Sequence, residues 1–582
     1  MEEFSLLHPQ GAAYTVHTLT DEAVNDLSID FLLENLTEKR SERGHLRALM
    51  TQVTDDPDVI RYRCDVFEDF LRFPKLRTVM EELVDRLADL RDVARFRKDQ
   101  EGPSLWSLVN RLREIDEYVS CITLLKDTLE ELNVTSEGMQ TLRRIVTDIG
   151  RESGFPELKA DIDETMEQAR KLKSITIGVN LDGMLRPKTA GVLSLNDSYF
   201  TDAGLMKRFM NFANKQDGLH EGTDVSGMKH FHAANPTTTE LRFVSYQKSA
   251  VSNDVQIEES LVTGNDALSN AITKPVSNIM KKTCDDIKST LKKYVNISGY
   301  MLIGLMPEIL FYVRWAELTD KIIAQGMPVC KAEILPADER KCSFKEIYNL
   351  KLAINNVIGE GERINIITND IDFSDAHRIY ILTGPNRGGK TIITQAVGLA
   401  MMLAQWGIYV PAAAAQLSPC DNMFTHFPAD ENDTVDLGRL GEESKRLSEI
   451  FDIATPHSFM LLNESLATTS VAEGLFIAKD VVKAMRYLGV RCIFNTHMHE
   501  LARSLDELNA AEGDSRVESL VTGVQRGERS FKVAVAPPQG VSYAKDIAQK
   551  YGVTYEQIRA HLQKRDNGQS SFTENERDDT YV

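Results

Sequence analysis

The sequence predicts a multidomain chain, an α-helical region with an inserted excursion followed by an α/β domain. Three observations carry this. Apolar residues in the first third recur at helical spacing. A strand-and-turn texture breaks in near Ser174 and later gives way to long helices again. From about Phe344, apolar strands alternate with helical stretches, and one strand runs into a glycine-rich loop. At roughly 100–200 residues per domain, a chain of 582 residues has room for several such units.

In the helical region, Leu76, Met80, Leu83, Leu87, Leu90 and Ala94 alternate four- and three-residue steps. Leu105, Leu108, Leu112, Ile115, Val119 and Ile122 do the same. Such seams form where helices pack lengthwise, and Gly102-Pro103 between them reads as a turn. A charged helix is expected over about 157–173. These segments make residues 1–175 a helical core. Ser174–Val179 and Gly191–Leu195 then read as short strands, and 214–240, with His220, His230 and His232, as polar loop. The excursion occupies 176–290. Helices return over 291–343, where the apolar stretch Gly299–Trp315 is broken by Pro307, Glu308 and Arg314 and reads as a buried helix pair, too short and interrupted to span a membrane. The α/β domain covers 344–563, with strands at Arg378–Leu382, Ser458–Leu462, Val490–Phe494 and Phe531–Val535 in a largely parallel sheet. The tail 564–582 is polar, charged and expected to be disordered.

Composition excludes several classes. The N-terminus has no signal-peptide pattern, and the 7 cysteines are scattered without a CxxC pair, which fits a reducing, cytoplasmic setting rather than a disulfide scaffold or zinc knuckle. The net charge of −20 weighs against general nucleic-acid affinity, since phosphate binding rests on Lys and Arg. Any basic surface must be local. Lys274, Lys281, Lys282, Lys288, Lys292 and Lys293 outnumber Asp285 and Asp286, and read either as such a surface or as the solvated face of a long helix.

The chemistry is concentrated in Thr383-Gly-Pro-Asn-Arg-Gly-Gly-Lys-Thr391. Gly384, Gly389, Lys390 and Thr391 meet the G-x-x-x-x-G-K-[ST] spacing, after a strand and before a helix over Ile392–Gln405. Glycines let backbone amides approach phosphates, and the helix N-terminus adds partial positive charge. Lys390 is expected on the β- and γ-phosphates, and Thr391 on Mg²⁺. Ser458–Glu464 supplies an apolar strand ending in Asn463-Glu464, where Glu464 orients or deprotonates water and Asn463, in place of an aspartate, holds the water shell of Mg²⁺ without a charge. Val490–His497 ends in a histidine placed to sense the γ-phosphate. His497-x-His499 lacks the further ligands of a metal site.

These residues resemble the MutS family of DNA-repair ATPases. The loop at 383–391 is similar to that family's TGPNMGGKS/T. Trp406–Ala412, Leu462–Ser470, Thr496–Leu501, Ser542–Ala548 and Gly552-Val553 continue the likeness in order over roughly 345–563, and Ile60–Phe67 extends it weakly into the helical core. The resemblance implies an ABC-type ATPase using ATP and Mg²⁺ in a homodimer, each site completed by the partner chain. Gly384, Pro385, Asn386, Arg387, Gly388, Gly389, Lys390 and Thr391 would cradle the phosphates. Ile366 would pack on the base, and Gly438 would face the γ-phosphate in place of a serine. Ser542–Ala560 would be a helix-turn-helix dimer contact, and 176–290 a lever and clamp on the DNA backbone. A short member is implied, lacking the N-terminal mismatch-reading and connector domains; Phe155-Pro-Glu157 carries the letters of the mismatch wedge in the wrong region. Arg387, Asn463, Leu466 and Thr468 depart from the family pattern. Two functions stay open: an ATP-driven DNA clamp in mismatch repair or recombination, with slow hydrolysis, or an ATP-binding dimer switch with a regulatory or assembly role.

Overall fold

The computed structural model describes residues 4–96, 105–151, 160–161, 164, 167, 173–184, 187–196, 230–232, 239–240, 285, 300–359, 363–385, 388–427, 438–466, 471–525, 528–538, 549 and 551–566. The chain divides into two compact units. One comprises residues 1–12 and 65–316, the other 13–64 and 317–582.

The first unit is built on long helices, Pro74–Phe96, Leu105–Glu131 and Glu137–Arg151. The heptad seams are its core: Leu76, Met80, Leu83 and Leu87, with Ile115, Val119 and Ile122, are all buried. Asp69 fixes the start of the third helix. Its carboxylate accepts hydrogen bonds from the Ser136 N–H at 2.8 Å and the Ser136 hydroxyl at 2.6 Å, satisfying backbone donors just ahead of the helix. Gly299–Trp315 differs from expectation. Its described residues, 300–315, belong to a single helix, Tyr300–Ala324, with Pro307 inside it rather than between two helices. Pro307 removes one backbone donor, but Leu302, Leu305, Ile309, Leu310 and Tyr312 are buried on either side of it and hold the helix together. Glu308 accepts from the Leu6 N–H at 2.6 Å and the Ser5 hydroxyl at 2.9 Å, tying the N-terminal residues to this helix.

A four-stranded antiparallel sheet follows the helices, made of Ser174–Leu181, Pro187–Asn196, His230–His232 and Thr239–Glu240. His230 and His232 therefore belong to a strand, not a loop. Strand pairing is made by the backbone, so a polar sequence does not forbid it. The lysine-rich stretch at 274–293, apart from Asp285, the tripeptide at 155–157 and His220 lie outside the described residues.

The second unit carries a six-stranded sheet in the order Met423–His426, Phe459–Asn463, Arg491–Asn495, His377–Thr383, Arg516–Gln525, Glu528–Val535. All neighbours run parallel except the last pair. Every residue of Phe459–Asn463 and Arg491–Asn495 is buried, as expected of parallel strands covered on both faces. Register decides the site. Leu382 and Asn463 both pair with Asn495, so the strands leading to the glycine loop, to Glu464 and to His497 end at one level. Crevices at the carboxyl ends of parallel strands are where such folds bind ligands.

The helix Lys390–Gln405 starts two residues earlier than expected and is buried along most of its length. Gly398 lets it approach the sheet: a Cβ there would come 2.6 Å from a methyl of Leu461 and 2.7 Å from one of Leu27. Leu27 comes from residues 13–64, expected as part of the helical core, which belong instead with this unit. Gln395 also donates to the Asp26 carbonyl at 2.9 Å. A second sheet, Glu333–Ile334, Ala414–Leu417, Cys342–Ile347 and Asn369–Phe373, was not expected, because its strands are short. The last helix, Tyr555–Asp566, continues through Lys564, the first residue of the expected tail.

Candidate active site

Gly384 has φ +150°, and a Cβ on it would lie 1.9 Å from the Thr522 hydroxyl oxygen of the neighbouring strand. A Cβ on Gly388 would lie 2.7 Å from the Pro385 carbonyl oxygen. Gly389 has φ +84°, a conformation that favours glycine, and forms the N-cap of the following helix. Asn386 and Arg387 lie outside the described residues. Lys390 is buried, and its ammonium donates to the carbonyls of Gly384 at 3.2 Å and Pro385 at 3.3 Å. Burial pushes its pKa down, and the charge of Glu464 acts in the opposite sense.

Thr391 and Asn463 meet: the threonine hydroxyl donates to Asn463 Oδ1 at 3.0 Å. The same oxygen accepts from Asn495 Nδ2, a residue that spacing did not single out. Thr391 and Asn463 are thus neutral oxygen donors set side by side, the kind of ligand Mg²⁺ takes alongside phosphate oxygens and water.

Glu464 follows at φ +54°, a strained conformation for a residue with a Cβ. Its N–H donates to the Asn495 carbonyl at 2.8 Å, and its carboxylate accepts from His497 Nε2 at 2.7 Å. That hydrogen bond lowers the Glu464 pKa; burial opposes it, and the charges of His497 and Lys390 add to it. His497 therefore pairs with Glu464.

The loop after Glu464 is held from two directions. Leu466 also has a positive φ, +62°, a conformation that favours glycine. Its side chain is buried in the core cluster, and its N–H donates to Glu443 Oε2 at 2.5 Å. Ser465 donates to the His426 carbonyl at 3.0 Å and receives His426 Nδ1 at 2.7 Å. Burial first, and then Arg446, pushes His426 down to about 4, so its ring is neutral. Glu443 lies on the helix Gly438–Ile453, which Gly438 begins; Thr468 lies outside the described residues.

Beside Gly389 opens a cavity of about 260 Å³, lined mainly by Ile347, Ile364, Ile367, Ile392, Ile393 and Phe531. Ile366, the expected base contact, is half-buried and is not one of its lining residues; its neighbours Ile364 and Ile367 are. The aromatic group comes from Phe531, which sequence order places far from the loop. Asn369 secures it by donating to the Phe531 carbonyl at 3.2 Å and accepting the Val533 N–H at 2.8 Å.

A loop, an acidic strand end and a histidine converging in this way invite comparison with known proteins. Residues 380–554 match the family model described as MutS domain V, and residues 55–325 match that of the MutS2 N-terminal domain. Both regions are MutS-like. Among curated MutS relatives, the DNA mismatch repair protein MutS of Shouchella clausii is 32% identical over 190 residues, which cover 31% of this chain and 22% of that protein. MutS of Chlorobium chlorochromatii is 32% identical over 215 residues, 35% of this chain and 24% of the relative. The DNA mismatch repair protein MutS 2 of Halobacterium salinarum is 33% identical over 191 residues, 32% and 21% of the respective chains. The matches thus span under a quarter of these MutS relatives' length.

Proposed function

We propose that this chain is a Mg²⁺-dependent ATPase that works on DNA as a homodimer, in mismatch repair or recombination-related maintenance. The observation that carries the reading is the convergence of Lys390, Thr391, Asn463, Glu464 and His497 at the carboxyl ends of three neighbouring parallel strands. Lys390 and the loop amides would hold the β- and γ-phosphates. Mg²⁺, held by Thr391 and through water by Asn463, would neutralise phosphate charge. The base would enter the Ile364–Phe531 cavity. Glu464 would orient the attacking water. With its pKa held down by His497 it is ionised at neutral pH but a weak base, and Asn463 brings no charge. Both favour slow turnover. Dimerisation through the C-terminal helical segment is supported by the exposed Val553, Tyr555 and Ile558. Among the described residues, no helix is long and apolar enough to cross a membrane, and a cytoplasmic setting fits the cysteine usage.

The test is steady-state ATP hydrolysis with no DNA, perfect duplex, mismatched duplex and a four-way junction, with Lys390→Ala as the blank. Stimulation by one DNA form establishes coupling to that substrate. The net charge of −20 favours the second reading, an ATP-binding dimer switch that does not act on DNA. Nucleotide binding above the blank with indifference to every DNA would support it.

A further inference from the structure

We propose that Asn495 is a positioning residue that turns the Asn463 amide so that its oxygen, not its NH2, faces Thr391 and the magnesium shell. The inference rests on the nucleotide-site reading above and assigns a role that sequence spacing did not reveal.

An aspartate presents oxygen whichever way its carboxylate turns. An asparagine has two unlike ends, and only the oxygen can serve a cation or its water shell. At position 463 the orientation of the amide therefore decides whether the site can hold Mg²⁺. Asn463 Oδ1 accepts from the Thr391 hydroxyl at 3.0 Å and from Asn495 Nδ2. Turning Asn463 alone would set its NH2 against the NH2 of Asn495, donor facing donor, in a place where both residues are buried. Asn495 is well placed to impose this. It is fully buried, sits in register with Asn463 on the adjacent strand, and its carbonyl accepts the Glu464 N–H at 2.8 Å. Among the described residues its own Oδ1 has no hydrogen-bond partner. What this residue contributes to its neighbour is thus its donor. The site compensates for the missing carboxylate by fixing the direction of the amide that replaces it.

The test is a double-mutant cycle read by metal rather than by turnover. The Mg²⁺ concentration needed for half-maximal binding of a fluorescent ATP analogue is measured on the full chain, with Mn²⁺ paramagnetic resonance as a second readout. Asn495→Asp replaces the donor with an acceptor and draws the Asn463 NH2 toward itself. It should raise the Mg²⁺ requirement about 10–100-fold, the range for groups that orient a metal's ligands. Asn495→Ala, which only releases the amide, should raise it less. In an Asn463→Asp background, Asn495→Ala should leave the Mg²⁺ requirement unchanged, because a carboxylate has no wrong face. Equal shifts in both backgrounds, or no shift in either, would overturn the proposal. If Asn495→Asp does not fold, the two alanine arms still decide. Absence of nucleotide binding by the wild type, or binding indifferent to Lys390→Ala, would instead bring down the nucleotide-site reading and this inference with it.

Discussion

Gly384→Ala tests whether the loop is held by the neighbouring strand. The new Cβ would lie 1.9 Å from Thr522 Oγ1, 3.1 Å from its Cβ and 3.3 Å from its backbone nitrogen, at φ +150°. Two separable effects follow. Backbone strain at a conformation suited to glycine costs about 1–3 kcal/mol. Overpacking against a β-branched side chain with little rotamer freedom costs about 1–3 kcal/mol more. The expected loss in the second unit is therefore about 2–6 kcal/mol, with nucleotide binding lost as well. Thr522→Ala alone should be nearly silent, within about 1 kcal/mol, because the hydroxyl it removes is buried without a partner among the described residues. Combined with Gly384→Ala it should restore the overpacking share and leave the strain. Urea unfolding of the four proteins, followed together with binding of fluorescent ATP, reads both. Strict additivity, with no recovery in the double variant, would refute the reasoning, as would a silent Gly384→Ala.

Other perturbations follow from the same site. Asn463→Asp should raise ATP turnover by about 10–100-fold in steady-state assays, and an unchanged or lower rate would count against the slow-turnover reading. His497→Gln removes the imidazole whose hydrogen bond holds Glu464 down. The Glu464 pKa should rise, moving the acid limb of the pH–rate profile to higher pH. His426 is held neutral at about 4 when folded against an ordinary value near 6.5. The unfolded chain therefore binds the extra proton first. Stability should fall as pH drops from about 6.5 to 4, by about 3 kcal/mol in all, and His426→Asn should flatten that part of the curve. Phe531→Ala should weaken ATP binding by about 2–10-fold, the worth of an aromatic contact, while leaving inorganic triphosphate binding unchanged.

How much of this was legible in the sequence depended on distance along the chain. The glycine loop could be picked out because the groups proposed to meet a phosphate are contiguous there, and Asn463-Glu464 and His497 because each ends an apolar strand. Asn495, Thr522 and Phe531 could not. They reach the loop through strand pairing or packing, which spacing does not encode. Ile366 was chosen by position in a motif, whereas the cavity is lined by Ile364, Ile367 and an aromatic ring from more than a hundred residues away. The second sheet escaped notice because strands such as Glu333–Ile334 are too short to show alternation. Pro307 suggested a helix boundary, but burial on both sides outweighed one lost hydrogen bond.

The grouping of residues 13–64 with 317–582 has a consequence for biosynthesis. Leu27, which packs against the helix Lys390–Gln405 at Gly398, leaves the ribosome long before that helix is made. Residues 65–316 come between, about 250 residues that take about 13–50 s to translate at about 5–20 residues per second. For that interval the buried leucines of the helix Ile29–Leu36 have none of the later part of their unit to pack against. That exposure should lengthen as elongation slows, and should vanish in a circular permutant that makes residues 13–64 directly after residues 317–582.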